Sequence, residues 1–228
     1  MSKPASLVEP SEALGVAGEP SRFVSRGGHK LAAALDRFGI DPRMRDCLDA
    51  GASTGGFTDC LLQAGAARVA AVDVGYGQLA WSLRTDPRVL VIERTNVRDL
   101  TPGTLPFVPS LIVADLSFIS LRLVLGALGS VATENAELIL LVKPQFEAGP
   151  ADVRKGGVVR DPHVWRRVIG DVASSLVEHG GTPAEVMASP VIGPAGNVEF
   201  LLHGEMGRSH SRRLEIEPAI AEGERMRA

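Results

Sequence analysis

Short apolar runs with a charged residue at or near one end constrain this chain more than any other feature. They are Cys47-Leu-Asp-Ala-Gly51, Ala67–Asp73, Arg88–Glu93, Leu111–Leu116 and Glu137–Lys143, followed by two later runs over 184–188 and 198–203. Near-continuous apolar stretches of this length read as strands buried on both faces. Between them the period changes to helical. Leu31, Ala34, Leu35 and Phe38 share one face of a helix that starts near His29 and stops at Gly39, and further helices are expected over 54–64, 77–84, 120–131 and 163–179. Strand–helix alternation of this kind predicts an α/β fold, a doubly wound and mostly parallel sheet. In such a sheet ligands sit beyond the carboxyl ends of the strands, so the loops after Asp49, Asp73, Asp115 and Lys143 are expected to converge.

With 228 residues there is room for one domain of roughly 100–200 residues plus extensions. We expect a loosely docked tail over residues 1–22, one domain over 23–206, and a charged tail or short surface helix over 207–228, where no strong apolar face is evident. No run approaches the roughly 18 apolar residues of a membrane span and nothing resembles a signal peptide, which predicts a cytoplasmic protein without membrane contact. Cys47 and Cys60 lack a CxxC or Cys/His context, so a disulfide framework and a metal site are not expected. The net charge of −3 gives no global basic excess, and affinity for nucleic acid would have to come from local patches. Two exist. Arg22 and Arg26 lie beside Lys30, and Arg154, Lys155, Arg160, Arg166 and Arg167 face only Asp152 and Asp161 nearby. Such patches suit phosphates, or else form a solvated loop and helix face.

The sharpest local motif is Asp49-Ala-Gly-Ala-Ser-Thr-Gly-Gly-Phe57, which leaves a buried strand and opens a helix. Its glycines let the backbone turn tightly and approach a ligand, although a tight strand-to-helix turn alone would need them too. It has neither the GxGxxG register of a dinucleotide site nor the GxxxxGK[ST] of a P-loop, and a loop without a pyrophosphate clamp suits S-adenosylmethionine. Asp73, ending the next strand, is placed to receive two ribose hydroxyls. Asp115 faces either a sulfonium, a catalytic amine or its own helix start. Lys143 follows the buried run LILLV, where desolvation disfavours its charged form and brings it toward general-base chemistry.

Taken together, Ser25–Lys30, Leu48–Phe57, Asp73–Trp81, Ala114–Ser120, Leu141–Glu147 and Gly196–Glu199 closely resemble the TlyA (haemolysin A) family, a branch of the FtsJ-like class I S-adenosylmethionine methyltransferases. The resemblance implies a Rossmann-like sheet of seven strands with the last antiparallel, S-adenosylmethionine as cofactor, and 2′-O-methylation of a cytidine ribose in ribosomal RNA. It places a catalytic Lys-Asp-Lys-Glu tetrad on Lys30, Asp115, Lys143 and Glu199. In this reading Lys143, held by both carboxylates, accepts the hydroxyl proton while Lys30 stabilises the alkoxide. Cofactor contacts fall on Asp49, Gly51, Ser53, Thr54, Gly55, Gly56, Phe57, Asp73, Val74, Asn96 and Asp115. RNA contacts fall on Arg22, Arg26, Arg154, Lys155 and Arg160, with ribosomal RNA or a ribosomal subunit as partner. Family members of usual length carry an S4-like RNA-binding domain where residues 1–22 stand here, which leaves a small-molecule hydroxyl as the alternative substrate. The haemolysin name finds no basic amphipathic helix to support it.

Overall fold

The computed structural model describes residues 21–153, 156–207 and 214–227. The tail expected over 1–22 therefore lies almost wholly outside the described residues, as do Arg154 and Lys155. The chain runs through α1 (Gly27–Phe38), β1 (Asp46–Ala50), α2 (Gly56–Gln63), β2 (Arg68–Val72), α3 (Trp81–Arg84), β3 (Val89–Ile92), β4 (Leu111–Ala114), α4 (Leu125–Val131), β5 (Glu137–Val142), α5 (Pro144–Glu147), α6 (Pro162–Glu178), β6 (Gly181–Ala188), β7 (Phe200–Met206) and α7 (Glu217–Arg225). One seven-stranded sheet has the order β3-β2-β1-β4-β5-β7-β6. All pairings are parallel except those of β7, which is inserted antiparallel between β5 and β6.

Because strand side chains alternate, each run feeds two cores. In β1 and β4, Leu48, Ala50, Ile112 and Ala114 pack with Leu125, Trp165 and Ile169 on one face, while Cys47, Leu111 and Val113 pack with Leu31, Phe57 and Leu61 on the other. The strand order reverses between β1 and β4, which makes their carboxyl ends the switch point at which such sheets bind ligands.

Three segments depart from the sequence reading. The helix expected over 77–84 shrinks to α3, because Gly77 takes a positive φ of 71° and the preceding residues form turns. The helix expected from Ser120 is split. Its first turn, Leu121–Leu123, is a 3-10 turn capped by Ser120, and the α-helix starts at Leu125. The loop after Lys143 opens with α5, where Pro144 occupies the first helical position that proline tolerates. At the other end, α7 buries Ala219, Ile220 and Gly223. A Cβ on Gly223 would lie 3.0 Å from Val198 and 3.3 Å from Trp165, so α7 docks closely through Ala219 and Gly223, with Ile220 as its one large buried side chain.

Candidate active site

The loops after β1, β4 and β5 enclose a cavity of about 820 Å³ together with the start of α1 and the segment before β7. Lys30, Asp115, Lys143 and Glu199 all line it. They form two ion pairs. Lys30 Nζ donates to Glu199 Oε2 at 2.6 Å, and Lys143 Nζ lies 2.6 Å from Asp115 Oδ1 and donates to Ser117 Oγ at 2.9 Å. Lys143 is thus held by Asp115 and Ser117, and Glu199 serves Lys30 instead. The reason is topological: Asp115 follows β4, the parallel neighbour of β5, whereas Glu199 precedes the antiparallel β7 and faces α1. An ammonium has three N–H donors, so one on Lys143 remains without a protein partner among the described residues.

The glycine loop forms the opposite wall through Gly51, Ser53, Thr54, Gly56 and Phe57. Gly51 has φ 88°, and a Cβ there would sit 2.6 Å from the Asp115 carbonyl oxygen. Gly55 has φ 98° and turns its open side to Leu83, 2.2 Å from where a Cβ would be, so it serves packing against α3 and does not line the cavity. Asp49 lies beneath this loop, fully buried, with Oδ2 accepting from Thr58 Oγ1 at 2.6 Å and Oδ1 without a partner. Burial pushes its carboxyl up to about 7, against the pull of the Thr58 hydrogen bond.

Asp73, Val74 and Asn96 stand off the cavity wall. Asp73 accepts from Ser53 N at 2.8 Å and Gly75 N at 2.6 Å, which ties the ends of β1 and β2 together. Asn96 is exposed and caps the turn Val97–Asp99 by accepting from Arg98 N at 3.0 Å. Val74 is 66 % exposed. Of the basic candidates, Arg26 lines the cavity, while Arg22 stacks on Phe23 and the exposed Arg160 gives its carbonyl to Arg227. The charge surplus counted on α6 is smaller in space than in sequence, because Arg166 pairs with Glu217 and Arg167 with Asp152.

Several residues in or behind the wall carried no separate signal. Phe118 is 92 % exposed with φ 65° and tilts against Phe146 at 5.1 Å between ring centroids. Buried Glu147 accepts from Ser120 Oγ at 2.5 Å and Leu121 N at 2.7 Å, which pins the loop that carries Ser117 and Phe118. Burial raises its carboxyl above the ordinary range. Asn197 donates to the Gly157 carbonyl at 2.8 Å and accepts from Val159 N at 2.9 Å, closing the far rim. Each sits inside or beside a quoted motif, yet only the folded geometry gives it a partner.

A family profile described as FtsJ-like methyltransferase matches residues 23–206. The chain belongs to the FtsJ-like methyltransferase family. This methyltransferase is 55 % identical over 201 residues to the Mycobacterium tuberculosis protein named 16S/23S rRNA (cytidine-2′-O)-methyltransferase TlyA, covering 88 % of this chain and 75 % of that one. A Lactococcus lactis protein solved under the haemolysin name superposes with a TM-score of 0.84 at 43 % identity, covering 88 % of this chain and 97 % of that one. A Mesorhizobium loti S-adenosylmethionine-dependent methyltransferase superposes with a TM-score of 0.58 at 13 % identity, covering 76 % and 96 %. The fold is that of the S-adenosylmethionine-dependent class I methyltransferases. Among the described residues, no helix is long and apolar enough to cross a membrane.

Proposed function

We propose that residues 23–206 form a cytoplasmic catalytic domain that transfers a methyl group from S-adenosylmethionine to the 2′-hydroxyl of a cytidine in ribosomal RNA. The observation that carries this reading is the convergence of two lysine–carboxylate pairs in one cavity at the switch point of the sheet. The relatives' names supply the substrate class.

The residues present fit the cofactor. S-adenosylmethionine, when bound, supplies an electrophilic methyl carbon on a sulfonium and leaves as a neutral thioether. The unpartnered, buried Asp49 Oδ1 suits a cationic ligand above the loop. Gly51, Ser53, Thr54, Gly56 and Phe57 form the wall that would hold it, and the family resemblance alone assigns the ribose to Asp73 and the base to Val74 and Asn96, which stand off that wall.

A ribose hydroxyl attacks carbon only as its proton leaves. Lys143 in its neutral form takes that proton onto Nζ, and Asp115 and Ser117 hold the resulting ammonium in place. Lys30, paired with Glu199, stabilises charge developing on the oxygen. Phe118, exposed at the rim, offers a face on which a splayed-out base stacks, and Arg22, Arg26 and Arg160, with Arg154 and Lys155, supply cations for neighbouring phosphates. The test is transfer of labelled methyl to undermethylated small and large ribosomal subunits, with mass mapping of the product. A modified cytidine is expected. No transfer to either subunit would move the substrate to a small hydroxylated molecule.

A further inference from the structure

At the end of the sheet away from the cavity, Glu137 opens β5 and pairs in register with Glu205 of β7, while His203 lies two residues before Glu205 on the same face. Like charges directly across an antiparallel pair repel. Arg45 binds Glu137 Oε2, which offsets part of this and leaves Oε1 turned to His203. His203 Nε2 lies 3.4 Å from Glu137 Oε1 without making a hydrogen bond, although the residue is only 7 % exposed. A buried polar nitrogen without a hydrogen-bond partner is destabilising. Stacking on Phe38, with ring centroids 5.5 Å apart, holds the imidazole in the face of the two carboxylates.

From this we infer that Glu137, His203 and Glu205 form a divalent transition-metal site, with Zn2+ the ion whose chemistry fits one imidazole and two carboxylates. One ligand atom from each of the three residues lies within 4.8 Å of the others. Donors around a tetrahedral zinc stand about 3.4 Å apart, so the His203–Glu137 edge already has the required length and Glu205 closes by a change of rotamer. A divalent ion gives His203 Nε2 its missing partner and removes the cross-strand repulsion at one stroke. Solvent completes the coordination, since the Glu137 side chain is 28 % exposed. Lys143 lies at the other end of β5, roughly 20 Å away at the rise of an extended strand. The ion is therefore a clamp between β5 and β7 rather than part of methyl transfer.

Tag-free full-length chain, freed of metal by chelator, is titrated with Zn2+ by calorimetry near neutral pH, and with Co2+ for its visible ligand-field spectrum. One equivalent of Zn2+ is expected, with a four-coordinate Co2+ spectrum, a higher Tm, and at least tenfold weaker binding in both H203Q and E205Q. E205Q changes a partly exposed residue and keeps the test valid if H203Q misfolds; its methyl-transfer rate is expected to match wild type. No stoichiometric Zn2+ uptake, or unchanged affinity in E205Q, overturns the proposal.

Discussion

The two lysine–carboxylate pairs share a chemistry but not a setting. Lys30 and Glu199 are side chains 7 % and 2 % exposed, and they join the first helix to the entrance of the seventh strand across 169 residues. Lys143 and Asp115 leave neighbouring parallel strands, and Asp115 is 22 % exposed to the cavity. The first pair resembles a buried closure that also shapes the site. The second is the more open one, with a serine partner and a spare donor. The lysines themselves are almost equally buried, 7 % and 9 %, so the pairs differ in the exposure of the carboxylate and in the serine partner, and the proposed mechanism assigns proton transfer to the more open pair.

The comparison breaks most readily at Lys143. K143A is expected to lower single-turnover methyl transfer by about 10²–10⁴-fold while leaving the melting temperature and cofactor binding near wild type. If turnover survives, Lys143 is not the base. K30A should instead show first in stability, because it leaves Glu199 buried and unpaired, at a cost of about 3–5 kcal/mol in denaturant unfolding. The double replacement K30M/E199L sharpens the contrast: it should regain most of that stability and no activity. A double variant as unstable as K30A would show that more than an unpaired charge is lost.

Asp49 provides a pH test. Its folded-state carboxyl lies near 7, above the ordinary 3.8, so its favourable contribution is complete below about 4 and is lost as pH rises through 7. Acidification from pH 8 to pH 5 should thus stabilise the wild-type chain relative to D49N by a few kcal/mol, visible in paired thermal melts. Parallel melting curves would place the Asp49 carboxyl in the ordinary range. The smallest effect is expected from F118A, about 1–3 kcal/mol of lost base stacking, which raises KM for ribosomal substrate with little change in stability. An unchanged KM would remove Phe118 from the substrate surface.

How much could be read in advance differs by region. The strands were legible because runs such as LILLV must be buried on both faces, and the strand-end residues Asp73, Asp115 and Lys143 follow from that. The short helix expected near the C-terminus is present as α7, but its docking was not legible, because Ile220 is its one large buried side chain and Ala219 and Gly223 pack beside it through their lack of bulk. The charge balance of α6 was hidden for a related reason. Glu217, which neutralises Arg166, lies far along the chain and is adjacent only once α7 packs. The same holds for Gly55, whose glycine motif is real but whose open side meets Leu79 and Leu83.

By itself the sequence determined the class of fold, the loop expected to hold a methyl donor, and the strand-end residues Asp115 and Lys143, because burial periodicity and motif order are local properties of the chain, while Lys30 and Glu199 entered the proposed tetrad through the family resemblance alone. Only the tertiary structure decided which carboxylate each lysine meets, which glycines face the cavity, that Phe118 stands exposed at its rim, and that His203 comes to rest between two glutamates. Those are relations between residues distant in sequence, and they are set by strand order and register, which no local pattern encodes.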